Sequence, residues 1–187
     1  MKTLVYIFGQ PGAGKTTLIR AMCDRLQLLY EASEPIKHRC FCRNGRMFAV
    51  LGSDGFPFGG TDTLSYTAVS SSDRWLKNLS DCAAGSTVFA EGDRLANDRF
   101  FEAASKHYNL LLIYLECAED ITASRREKRA AQYRIPLQSN LWVKSRATKH
   151  ANLAARHKGV LRLDGRKPPE QLAEIVWNSL LTKEQVT

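Results

Sequence analysis

Residues 9–17 read GQPGAGKTT, and the six residues before them, TLVYIF, form an apolar strand-like run. Gly9, Gly14, Lys15 and Thr16 fit the pattern G-x-x-x-x-G-K-[ST] between a strand and a helix. Glycines let the backbone curl until several N–H groups point inward, and the following helix adds its positive end. Gly9, Gln10, Pro11, Gly12, Ala13, Gly14, Lys15, Thr16 and Thr17 are therefore expected to cradle a nucleoside triphosphate, with ATP the expected donor. Lys15 is placed to reach the β- and γ-phosphates, and Thr16 to offer its hydroxyl to Mg²⁺. Such a loop sits at the end of a parallel strand, which already points to an α/β domain.

The rest of the chain agrees with that class. Apolar spacing (Leu18, Met22, Leu26, Leu29) predicts a helix over Thr17–Tyr30. Ile36–Arg43 and Arg46–Leu51 read as strands joined by an Asn44-Gly45 hairpin turn. Leu64–Ser70 and Ser72–Ala83 read as helical, the second with Ser72 or Asp73 as cap. Thr87–Ala90 is a buried strand, Asp98–His107 a helix, and Leu110–Cys117 a central parallel strand apolar throughout. Helices over Glu119–Tyr133 and Asn140–His157, a last strand in VLRLDG and a last helix over Pro169–Leu181 complete the order. Strands alternating with helices give a three-layer P-loop fold with a mainly parallel sheet and a helical lid. At 187 residues, the chain is expected to be one domain, 1–187, with the lid and a basic segment at about 119–157.

The phosphate loop says nothing about the acceptor. A GTPase would carry a guanine-reading N-K-x-D, and none is present. A motor ATPase would carry an apolar strand ending in Asp-Glu, whereas this one ends VFAEGDR. A small phosphotransferase is the better fit. Arg125, Arg126 and Arg129, in RREKRAAQYR, lie within one or two helical turns. Such arginines can close over a triphosphate and neutralise charge that builds in the transition state, so Arg125 and Arg129 are expected as lid residues. A solvated basic helix face is the plainer reading of any one of them.

Four acids, Asp54, Asp62, Glu91 and Asp93, fall at strand ends or in loops. Asp62, in FGGTDTLS, follows a glycine pair that would let a substrate come close to the backbone. The same residue could cap a helix from Leu64 onward. Asp54 is the second candidate for a base. Glu91 and Asp93 end a strand at the sheet edge where ligands bind in open α/β sheets. Glu91 could hold a Mg²⁺-bound water, and Asp93 could simply pair with Arg94.

The formal charge of +8 is unevenly distributed. Ile121–Lys167 holds thirteen Lys or Arg against two acids, Glu127 and Asp164. On a helical wheel of Asn140–His157, Ala147, Ala151, Ala154 and Ala155 form a narrow packing face. Arg146, Lys149, His150, Arg156 and His157 spread over the other side, as an extended anionic partner would require. An ordinary amphipathic helix with Trp142 in the core is the plainer alternative, and for Trp142 it is preferred. Five scattered cysteines suit reduced thiols. Cys40 and Cys42 form a C-x-C without the second pair that a zinc site needs, which fits alternate residues of one strand. No apolar run is long enough to span a bilayer, and the N-terminus lacks the form of a secretory signal, so a cytoplasmic location is expected.

FGQPGAGKTTL, FGGTDTLSYTAV, FAEGDRLAN, RREKR and SNLWVKSRATKHANL together resemble a bacteriophage family of small P-loop kinases that phosphorylate 5-hydroxymethyluracil already incorporated in DNA, a step in thymidine hypermodification. The resemblance runs from the phosphate loop to Leu153. It implies ATP at Gly9–Thr16, Asp62 in the acceptor site, Arg125 with Arg129 as lid, and DNA containing 5-hydroxymethyluracil as partner, in the cytoplasm of an infected bacterium. It does not settle the base. The expected activity is thus an ATP- and Mg²⁺-dependent kinase with catalytic Lys15, Asp62, Arg125 and Arg129, and with Thr16 and Glu91 at the metal. A kinase for a free nucleotide, nucleoside or other small metabolite is the alternative, and a non-catalytic ATP-dependent DNA-binding switch a third.

Overall fold

A computed structural model describes residues 2–55, 57–82 and 86–185. β1 (Thr3–Phe8) is an interior strand of a seven-stranded sheet, buried along its whole length. It pairs in parallel with β5 (Thr87–Glu91) on one side and β6 (Asn109–Glu116) on the other. Beyond β6 lies β7 (Leu161–Asp164), and beyond β5 lies β4 (Arg46–Leu51), both parallel to their neighbours. β3 (His38–Arg43) and β2 (Gln27–Ala32) extend the β4 side as antiparallel strands.

Alternate residues of β1 feed two cores. Leu4, Tyr6 and Phe8 pack with α2 (Ser72–Ser80), α3 (Asp98–Ser105) and α5 (Asn140–Arg156), through Trp75, Leu79, Phe100, Phe101 and Leu153. Val5 and Ile7 pack on the opposite face with α1 (Lys15–Cys23) and α6 (Pro169–Gln185), through Leu18, Met22, Val176 and Trp177. The three layers are those that the sequence predicts. α4 (Glu119–Tyr133) runs beside the phosphate loop and buries only Thr122 and Arg126.

Asn44 and Gly45 both take positive φ, 51° and 76°, as the two-residue hairpin turn between β3 and β4 demands. Cys40 and Cys42 stand two apart on β3.

Three local expectations are corrected. The helix predicted over Thr17–Tyr30 ends at Cys23, and residues 27–32 become β2. Helical leucine spacing loses there to the open edge of β3, whose N–H and C=O groups gain partners when the segment pairs with it. The helix predicted over Leu64–Ser70 is instead two 3₁₀ turns, Thr61–Thr63 and Tyr66–Ala68, separated by an extended Leu64. Ser65 restarts the second by accepting a hydrogen bond from the Thr67 N–H. α2 closes at Ser80 and is preceded by Ser71 rather than capped by Ser72 or Asp73; the predicted end at Ala83 lies outside the described residues.

Candidate active site

The loop after β1 enters α1 through Gly14, whose φ of 102° is left-handed. Gly12 has φ 87°, and a Cβ there would stand 2.6 Å from the Thr122 carbonyl oxygen. The absent side chain is what lets α4 close against the loop. The Gln10 side-chain amide turns away, donating to the Cys117 carbonyl at the end of β6, so only its backbone remains for a phosphate.

The parallel register sets Glu91 opposite Ile7, two residues ahead of Gly9. The Thr16 hydroxyl donates to Glu91 Oε1 at 2.8 Å. Burial pushes the Glu91 carboxyl up, and the nearby Lys15 charge opposes that rise. Burial likewise lowers the Lys15 ammonium, against the pull of Glu91, Asp62 and Asp93. Lys15 Nζ lies folded back on its own loop, donating to the Gly9 and Gln10 carbonyls at 2.9 and 3.2 Å.

A hydroxyl and a buried carboxylate beside a phosphate cradle fit Mg²⁺, which takes one or two protein oxygens and fills its octahedron with water and phosphate. Among the described residues no group of three or more His, Cys, Asp or Glu could hold a metal by protein ligands alone. When bound, the ion would supply charge neutralisation between the β- and γ-phosphates.

A cavity of about 390 Å³ opens over the loop. Leu115, Gly165, Lys167, Pro169 and Leu172 line it at the β6–β7 side; Phe58, Asp62, Glu91, Asp93, Trp142 and Arg146 line the acceptor side. Gly60 (φ 62°) is the close approach here, since a Cβ on it would collide with the Glu91 carboxylate. Gly60 therefore admits Glu91 against its backbone, while Gly59 lines the cavity.

Asp62 is not a helix cap. Its Oδ1 accepts the backbone N–H groups of Asp93 and Arg94 at 2.9 and 3.0 Å. Among the described residues no hydrogen bond to Oδ2 accompanies these two. Asp54 does not line the cavity; Arg20 and Arg39 hold it in ion pairs at 2.8 and 3.5 Å, which removes it as second candidate for the base. Asp93 does not pair with Arg94. It receives Lys149, His150 and Arg146 at 2.8, 2.8 and 3.1 Å. Burial alone would raise its carboxyl, but hydrogen bonds from His150 and Lys149 outweigh that and hold it well below the usual carboxylate range. A carboxylate so engaged is a poor base.

The three lid arginines divide. Arg125 Nη1 donates to the Gly12 and Ala13 carbonyls and its Nη2 to Gly165, so it clasps the back of the phosphate loop. Arg126 is buried and donates to the Pro11 carbonyl. Arg129 lines the cavity, lying over the Phe58 ring and reaching Gln138. Both residues expected in the lid, Arg125 and Arg129, line the cavity, and Arg125 in addition has its donors on carbonyls of the phosphate loop and Gly165.

The expected alanine packing face of α5 is corrected, and its basic side is found paired with acids. Val143, His150, Leu153 and Ala154 are buried, while Ala151 and Ala155 are exposed. Arg156 and His157 pair with Asp98 as Arg146, Lys149 and His150 do with Asp93. Asp93 of the β5–α3 loop and Asp98 at the start of α3, both far away in sequence, take these cations as ion-pair partners, while the Arg156 side chain stays exposed. Trp142 is 37% exposed, not in the core, and lies against Arg146 at the cavity wall. The sequence places His150 only on the basic side of α5, not at the phosphate loop. The only signal for it is its helical spacing with Val143 and Leu153, which puts it on the buried face.

Among the described residues no helix is long and apolar enough to cross a membrane. A comparison with curated proteins returns no match. Among solved structures the chain is similar to a sugar kinase from Janibacter sp., at TM-score 0.55 and 18% identity over 96% of this chain and 95% of that one. It is also similar to a deoxyadenosine kinase from M. mycoides with bound dCTP, at TM-score 0.48 and 12% identity over 96% and 100%. Comparison with protein families matches residues 1–166 to P-loop Nucleotide Kinase3. The match takes in the phosphate loop and most of the chain, and the chain belongs to this family of P-loop nucleotide kinases.

Proposed function

We propose that this phosphotransferase moves the γ-phosphoryl of ATP to the hydroxymethyl group of a pyrimidine within DNA, 5-hydroxymethyluracil being the base that the motif resemblance names. The observation that carries the acceptor is the set of arginine–aromatic pairs around Asp62. Arg94 lies 4.0 Å from the Tyr66 ring, Arg129 4.8 Å from Phe58, and Arg146 5.5 Å from Trp142. Tyr66 is 88% exposed. Flat rings flanked by guanidinium groups suit unstacked bases with their phosphates. Arg94 Nη2 donates to the Asp62 carbonyl, while its Nε and Nη1 are buried without a hydrogen-bond partner among the described residues.

In this reading Asp62, aligned by two backbone N–H groups, takes the proton of the acceptor hydroxyl. Lys15 and Arg129 face the transferred group. A free nucleotide or other small acceptor is favoured by a different observation, the pairing of the α5 cations with Asp93 and Asp98, which leaves them less charge for a polymer backbone. Transfer of labelled γ-phosphate to hydroxymethyluracil DNA, set against transfer to free hydroxymethyl-dUMP, decides. Preference for the monomer overturns the DNA reading.

A further inference from the structure

His150 is 1% exposed, on the inner face of α5 beside the Phe8 ring. Its Nδ1 lies 2.9 Å from the Gly9 nitrogen, and its Nε2 lies 2.8 Å from Asp93 Oδ1. The Gly9 N–H can only donate, so Nδ1 accepts and carries no proton. The ring proton then sits on Nε2 and is donated to Asp93. One neutral tautomer satisfies both bonds.

We propose that His150 is a positioning residue for phosphoryl transfer, which pins the first residue of the phosphate loop to the loop after β5 through the tautomer that Asp93 selects. The proposal rests on the phosphate loop binding a nucleotide. Its weight comes from what else holds Gly9. In this structure the Gly9 carbonyl is also tethered, by Lys15 Nζ at 2.9 Å. Lys15 gives up that bond when it turns to the β- and γ-phosphates. The Gly9 N–H bond to His150 needs no such sacrifice, so it is the tether that survives nucleotide binding. Asp93 carries the link further, because its backbone N–H and that of Arg94 align Asp62. Gly9 on the donor side and Asp62 on the acceptor side are thus joined through one histidine and one aspartate.

The surroundings keep the ring neutral. Lys15 of the phosphate loop and Lys149 of α5 oppose a second ring proton, whereas Asp93 favours one; burial, the largest influence, lowers the pKa, and the net direction is down. Arg146 also faces Asp93, sharing the charge that would otherwise stabilise an imidazolium.

Two near-isosteric variants separate the halves of the link. An Asn amide oxygen takes the place of Nδ1, so His150→Asn keeps the acceptor for Gly9 and loses the reach to Asp93. His150→Gln places its amide at the position of Nε2, keeps the donor to Asp93 and loses Gly9. The readouts are the affinity for a fluorescent ATP analogue, and kcat and KM for ATP with hydroxymethyluracil DNA. His150→Ala should lower kcat by up to roughly 100-fold, the scale of a small misplacement of reacting groups, with a smaller change in the KM for DNA. His150→Asn and His150→Gln should each recover only part of that loss, because each severs one half of the link. Full recovery by either means that the bond it lacks is idle and overturns the proposal, as do parental kinetics in all three. A readout on the unaltered protein stands beside these. Nitrogen chemical shifts of the His150 ring in the ATP-bound parent should show Nε2 protonated and Nδ1 bare; the reverse pattern overturns the proposal even if no variant folds. A parent that binds no ATP defeats the nucleotide reading instead, and the ring shifts of the free protein still report the tautomer.

Discussion

The Thr16 hydroxyl and the Glu91 carboxylate meet at 2.8 Å, although 75 residues separate them. The pairing of β1 with β5 enforces the meeting, because Ile7 opposite Glu91 leaves the acid level with the start of the phosphate loop. Glu91→Gln keeps a hydrogen-bonding partner for Thr16 and removes the charge. Apparent Mg²⁺ affinity should fall about 10- to 100-fold, the usual cost of losing a group that orients a metal's ligands. Activity measured across a Mg²⁺ titration checks this, and an unchanged Mg²⁺ dependence would sink the assignment.

Burial lowers the Lys15 ammonium, and Glu91, Asp62 and Asp93 around it oppose that fall. Lys15→Ala should reduce kcat by on the order of 10³ or more while circular dichroism stays parental, since charge stabilisation by a preorganised donor alone contributes 10² to 10³.

Asp62 and Asp54 give opposite expectations. Asp62→Asn keeps an oxygen for the two backbone N–H groups and removes the base, so kcat should fall by about 10² to 10⁴. Asp54→Asn breaks partly exposed pairs with Arg20 and Arg39, and its effect should be on stability, about 0.2–1 kcal/mol, with kcat retained. Steady-state kinetics beside denaturant unfolding separates them. Equal losses of kcat would move the base elsewhere.

Much of the fold was legible because its signals are local. Gly-Lys-Thr after an apolar strand dictates a phosphate cradle whatever surrounds it, and Asn44-Gly45 dictates a turn by its φ angles alone. What escaped depends on partners remote in sequence. Residues 27–32 become a strand because β3 offers an edge, not because of their own pattern. Summing charge over Ile121–Lys167 counted the cations correctly and missed that Asp93 and Asp98, outside that window, pair with five residues of α5 and its end. Arg125 was legible as a cation near phosphate, but not as a clasp on carbonyls of the loop.

Acid should weaken the fold in two steps. The folded pKa of His150 lies below its unfolded value, so the folded state binds fewer protons, and stability present at neutral pH is lost as pH falls below about 6.5. Asp93 is likewise lowered, so its contribution is present above about 4 and is lost as pH falls further. Thermal unfolding followed from pH 7.5 to 4.5 should show the first step in the parent and not in His150→Asn. An identical slope in both would assign the loss to other groups.

Trp142 offers a direct view of the acceptor side. Trp75 and Trp177 are 3% and 7% exposed, whereas Trp142 is 37% exposed and lines the cavity. A base stacked on it should quench its emission. Thymine-only single strands, which cannot accept phosphate, should therefore quench the parent's fluorescence, and Trp142→Phe should abolish the change. Stacking on aromatic side chains contributes about 1–3 kcal/mol per base, so Trp142→Ala with Tyr66→Ala should raise the KM for DNA by roughly tenfold or more and leave the KM for ATP unchanged. Arg146 and Lys149 are unsuitable for this test because they also hold Asp93. Quenching without phosphorylation of hydroxymethyluracil DNA would mean a strand-binding surface serving some other acceptor. Phosphorylation of DNA with no quenching, and with parental KM in the double variant, would mean that the rings only cover their arginines and that the strand is held elsewhere.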